Sequence, residues 1–111
     1  MMNRMYFLTV SLLSSLYAVA QVEQPIHALL NERPAKALAA LRELQSSDPS
    51  ALNNYNLGYA LLLTKNAAEA EQLFAKGIEL DPKNPSNYIG KGRVLLLNGK
   101  FEEAKANFDK A

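Results

Sequence analysis

The chain has 111 residues, 49% of them apolar and 21% charged, with 12 basic against 11 acidic side chains and no cysteine. That length supports at most one domain, and the even charge excludes a bulk field that would draw it onto nucleic acid or an anionic membrane. Without cysteine there are no disulfides, thiolate metal sites, thiol nucleophiles or cysteine-linked lipid anchors.

The first predicted element is a leader. MMNRMYFLTVSLLSSLYAVAQ carries one cation, Arg4, then an apolar stretch from Met5 to Tyr17, then small residues Ala18-Val19-Ala20 before Gln21. This is the layout of a secretory signal over residues 1–20, and it predicts an exported protein, periplasmic or extracellular. Thr9, Ser11, Ser14 and Ser15 interrupt the stretch, which is short for a membrane span. An uncleaved anchor or a buried amphipathic helix are the alternatives. Cleavage would remove Arg4 and no acid, leaving 11 basic and 11 acidic residues and no stable span.

The next elements form pairs of helices. Shifting the chain by 34 residues lays Ala51–Gly77 over Pro85–Ala111, and nine of the 27 pairs are identical. Those identities include Gly58/Gly92, Leu61/Leu95, Ala70/Ala104 and Phe74/Phe108. A period of this length with two helical patterns per unit predicts an all-α solenoid of antiparallel helix pairs. Ser50 and Asn84 are expected N-caps and Pro85 suits a first turn. The first helix of each pair is predicted to end near Lys65-Asn66 and Asn98-Gly99, where a left-handed residue can close it. Second helices follow over Ala67–Leu80, stopped by Asp81-Pro82, and from Phe101 onward. Glu69, Glu102 and Glu103 lie in their first turns, where the helix dipole favours acids.

These residues resemble the tetratricopeptide repeat family, whose pattern is W-x2-L-G-x2-Y, A-x3-F, then P. In the unit at 51–84 the matching positions are Leu57, Gly58, Leu61, Ala70, Phe74 and Pro82. In the unit at 85–111, incomplete at its end, they are Tyr88, Gly92, Leu95, Ala104 and Phe108. Asn54 stands where a large aromatic is usual, so Tyr55 is expected to fill that space, and Lys91 replaces the usual leucine. A degenerate first unit spans 21–50, with Ala37, Leu41 and Pro49 matching at a spacing one residue shorter and a short first helix near Val22–Leu30. The resemblance implies a right-handed solenoid of about two and a half units, with Gly58, Gly92, Ala70 and Ala104 letting paired helices approach closely.

At 100° per residue, Leu57, Gly58 and Leu61 share one side of their helix, and Leu52, Tyr55, Tyr59 and Leu62 the other. The corresponding residues of the last unit are Ser86, Ile89, Arg93 and Leu96. In the family the first helices line a concave groove, so the resemblance implies a peptide-binding trough with Arg93 as its cation and Asn53 and Asn56 at its edge. Tyrosine and arginine suit a binding hot spot; packing against the preceding helix pair is the competing role for Tyr55 and Leu62. The carboxylate clamp of chaperone-docking members is not matched: Asn56 alone fits, against Val22, Ile26, Ser86 and Gly90 elsewhere.

Nothing in the sequence points to catalysis or to a cofactor or metal. His27 is the single histidine, Glu69 and Glu71 are explained by the helix start, and Gly90-Lys91-Gly92 lacks a phosphate loop's flanks. The sequence thus reads as an exported, non-catalytic scaffold that binds a protein or peptide. The alternative is the docking module of a larger secreted or periplasmic enzyme or sensor continuing past residue 111. The last pair lacks a capping helix, which implies either a longer natural chain, the favoured reading, or a homodimer through a face of Tyr88, Leu95, Ala104 and Phe108.

Overall fold

The computed structural model describes residue 23 and residues 25–111, so the leader expected over 1–20 lies outside the described part. Among the described residues there are six helices and no strand. They are α1 (25–32), α2 (Pro34–Ser47), α3 (Ala51–Leu63), α4 (Ala67–Leu80), α5 (Pro85–Leu97) and α6 (Phe101–Lys110). None is long and apolar enough to cross a membrane. Three hairpins, α1/α2, α3/α4 and α5/α6, stack side by side, with α3 touching α2, α4 and α5.

Proline and polar caps set the helix boundaries. Asp48 and Asp81, each before a proline, end α2 and α4 with matching backbone angles, φ −140° and −147° with ψ 85° in both. Proline pushes the preceding residue out of the helical region, and both aspartates show it. Arg33 does the same before Pro34 and is the single residue between α1 and α2. Ser50 caps α3 by accepting from the Asn53 amide, and Asn84 caps α5 by accepting from the Ser86 amide.

Both tight turns inside the hairpins close in the same way. The Asn66 amide donates to the Leu61 carbonyl at 2.7 Å and the Lys65 amide to Leu62 at 3.3 Å. One repeat later, Lys100 donates to Leu95 at 2.9 Å and Gly99 to Leu96 at 3.1 Å. This double closure needs a left-handed residue. Gly99 supplies it at φ 74°, but in the earlier turn Lys65 does, at φ 66°, rather than Asn66. A side chain there costs about 1 kcal/mol. Lys65→Gly is therefore expected to stabilise the protein by about 1 kcal/mol and Gly99→Ala to destabilise it by a similar amount. Urea titration measures both.

The core explains the glycines. A Cβ on Gly58 would sit 2.7 Å from the Phe74 ring, and one on Gly92 2.5 Å from the Phe108 ring. Each first helix thus presses bare backbone onto the phenylalanine of its partner, as the repeat implies. Phe74 is also met from the other side, since a Cβ on Gly90 would lie 2.5 Å from the same ring. It is held between α3 and α5 and is fully buried, as are Leu61, Ala70 and Ala104. Leu57 is buried beside them. Between hairpins, Gly77 makes room for the side chain of Asn87, whose Nδ2 donates to the Ala51 carbonyl at 3.1 Å.

One expectation about exposure changes. The last hairpin's open face does not include Leu95 or Ala104, which are 3% and 0% exposed because α5 and α6 cover them in each other's contact. Tyr88 and Phe108 are half-buried, and the exposed large apolar residues of that hairpin are Leu96, Leu97 and Phe101. In the first hairpin, Ala37 is buried and Leu41 half-buried; of its first helix, expected near Val22–Leu30, residue 23 and residues 25–32 are described and helical.

Candidate functional site

Side chains from the first hairpin, α3 and α5 meet in one aromatic cluster. Tyr55 and Tyr59 lie one turn apart on α3, with rings stacked at 6.1 Å between centroids. Arg93 stands on α5 at the place that repeats Tyr59, and its guanidinium lies 5.5 Å over the Tyr59 ring, within cation–π range. From the first hairpin comes Glu23. Its Oε1 accepts the Tyr55 hydroxyl at 2.7 Å and the Arg93 Nη1 at 2.8 Å. One turn along, His27 meets Tyr59 edge-on at 5.8 Å. The pairs Glu23–Tyr55 and His27–Tyr59 have the same sequence separation, so α1 and α3 run in the same direction here.

These contacts correct the two-sided picture of α3. Its buried residues include Asn53, Asn54, Tyr55, Leu57, Gly58, Tyr59, Ala60 and Leu61, so most of its circumference is covered. Tyr55 is 1% exposed, with its ring 5.8 Å from that of Phe74, and Tyr59 is 7% exposed. Asn53 is no part of a groove edge; its Nδ2 donates to the Asp48 carbonyl at 2.8 Å, fastening the start of α3. Asn54 is fully buried at the usual aromatic place, its Nδ2 donating to the Ser50 carbonyl at 2.8 Å. What remains open around the aromatic centre is Leu52 and Leu96, both exposed, with Leu62, Ile89 and Asn56 half-buried. The buried Oδ1 of Asn56 has no hydrogen-bond partner among the described residues.

Burial and Glu23 shape the acid–base behaviour. Burial, then the hydrogen bond to Glu23, pushes the Tyr55 phenol far above its usual value of 10.0. Burial also raises Tyr59, with the Glu23 charge adding to it. For Arg93, burial works against the charged form, but the hydrogen bond to Glu23 and the neighbouring tyrosines outweigh it, so its pKa is raised. The raised Tyr55 pKa has a definite sign in stability: its contribution is complete below pH 10.0 and is lost as pH rises beyond that. Unfolded Tyr55 would ionise there while the folded phenol cannot. Tyr55→Phe is thus expected to flatten the alkaline fall in melting temperature, followed by circular dichroism across pH 9 to 12 (about the range in which tyrosine titrates).

Glu23 is the site residue that sequence reasoning missed. An acid on the first helix, in register with Tyr55, was the available signal. The irregular spacing of the first unit left that register unset. Outside the site, Arg42 on α2 pairs with Glu69 on α4 through bonds of 2.6 and 3.1 Å, so Glu69 bridges two hairpins as well as facing its helix start. Among the described residues no group of three acids or histidines is placed to hold a metal ion.

Stacked α-hairpins keyed by glycine against phenylalanine define a helical-repeat solenoid. Two tetratricopeptide repeat family models match the chain, one over residues 26–85 and the other over residues 61–111. The chain belongs to the tetratricopeptide repeat family. No curated protein matches it. Among solved structures it is similar to the second TPR of Spaghetti (RPAP3), bound to the HSP90 peptide SRMEEVD, with a TM-score of 0.67 and 22% identity. That similarity covers 83% of this chain and 87% of the other, and it concerns the fold.

Proposed function

We infer that the protein is an exported, non-catalytic scaffold that engages a segment of another protein through the concave side of α1, α3 and α5. The observation that carries this reading is the surface around the aromatic centre. Leu52 and Leu96 are 49% and 44% exposed, and Arg93, on the same helix as Leu96, retains about a third of its side-chain exposure. Apolar side chains around a partly desolvated arginine have the composition of an interaction surface. Membership of a repeat family that presents extended concave surfaces supports it. Export rests on the charged, apolar and small-residue order of the first twenty residues.

A photo-crosslinking residue placed at Leu62, in the groove, and at Lys76, on exposed α4, separates the faces. Exposed to an extract of the source cells, the Leu62 variant is expected to yield a discrete adduct absent from the Lys76 variant. Equal labelling from both positions would overturn the groove. A precursor-to-mature shift of about 2 kDa, the mass of some twenty residues, tests export on secretion-competent expression.

A further inference from the structure

Two donors converge on one carboxylate oxygen at the centre of the concave side. Tyr55 brings its hydroxyl from α3 and Arg93 its guanidinium from α5, at 2.7 and 2.8 Å from Glu23 Oε1. The donors belong to the rigid frame: Tyr55 is 1% exposed against Phe74, and Arg93 is braced on the Tyr59 ring. The acceptor comes from the first hairpin: Glu23 precedes α1, which is held on the core by Ile26 and Leu30 and exposes residues 27–29, and its own side chain is 20% exposed.

We propose that Tyr55 and Arg93 form an exchangeable carboxylate seat, filled by Glu23 within the chain and taken by an acidic side chain of a bound peptide. This rests on the groove reading above and names its partner class, a segment carrying Asp or Glu. Charge complementarity selects that occupant. With Glu23 withdrawn, a cation and a buried phenol hydroxyl point at the same place, and a buried donor left without an acceptor is costly. A neutral amide or hydroxyl accepts less strongly than a carboxylate, whose charge-assisted bonds are about twice as strong. Exchange of one carboxylate for another leaves the seat satisfied. The affinity for a peptide is then reduced by the fraction of time Glu23 occupies it, as for any ligand that binds only the open state.

The test uses two pools of short synthetic peptides, mixed in sequence except for a fixed central Glu in one and Gln in the other. Binding is read by fluorescence anisotropy on the full chain, with folding checked by circular dichroism. Glu23→Gln is expected to bind the Glu pool about tenfold more tightly than wild type, because the competing carboxylate is gone. Arg93→Gln is expected to lose the preference between pools. If Glu23→Gln binds the Glu pool no better, or gains equally for the Gln pool, the seat is overturned while the groove stands. If neither pool binds any variant, both readings fall. Should Glu23→Gln not fold, hydrogen exchange on wild type decides: the Glu pool should speed exchange over residues 25–32 and the Gln pool should not. An unchanged pattern overturns the proposal.

Discussion

Phe74→Ala is expected to lower the unfolding free energy by about 3–5 kcal/mol, the range for emptying a fully buried phenylalanine site. The ring is 0% exposed and lies against backbone on two sides, at Gly58 and Gly90, with Tyr55 on a third. Bare helix backbone cannot rotate inward to refill the space, so little of the cavity should collapse. Phe108 is the internal control. It occupies the same place one repeat later and meets Gly92, but it is only half-buried. Phe108→Ala should cost about 1–2 kcal/mol, in proportion to its partial burial. The opposite change gives a second check: Gly58→Leu and Gly90→Leu would drive a side chain into the ring and should cost about 1–3 kcal/mol or more. Chemical denaturation with a common slope measures the series. Equal losses for the two phenylalanines would show that Phe74 is not shared between hairpins.

Glu23→Ala is expected to cost about 1.5–3 kcal/mol, since it leaves a buried phenol and a half-buried guanidinium without their shared charged acceptor. The loss should be strongly coupled. In a background already lacking Glu23, Tyr55→Phe should be close to neutral, whereas in the wild type it removes a bond made to a carboxylate. Thermal melts of the two single variants and the double variant give the coupling. Additive effects would mean that the Glu23–Tyr55 bond contributes nothing to stability.

The second and third hairpins were legible in the sequence because their signals are local and repeated. The serine and asparagine caps, the Asp-Pro stops and the glycine–phenylalanine spacing each act within one hairpin, and the structure places α3 to α6 where those signals predict. Contacts between hairpins were not legible. Nothing in the spacing of Gly90 shows that it faces Phe74 from the next unit, or that Gly77 accommodates Asn87; both arise from stacking, which sequence periodicity does not register. The burial of the predicted binding face was not legible for a related reason. A helical wheel assigns Tyr55 and Tyr59 to one face but does not show whether another helix covers it. The shortened first unit hid the register that brings Glu23 and His27 onto those rings. The structure leaves Leu52 and Leu96 exposed and Tyr55 buried.

The shared ring also settles how the chain can be divided. Cutting between the second and third hairpins parts Phe74 from Gly90, so an isolated α3/α4 hairpin would expose a large aromatic on its flank. The smallest block that keeps the ring wrapped is α3, α4 and α5 together, a trio that overlaps two consecutive units. An engineered array assembled from this sequence should be joined inside a first helix, between the positions of Gly90 and Gly92, rather than at the Asp-Pro turns, so that every block carries its phenylalanine together with both glycines.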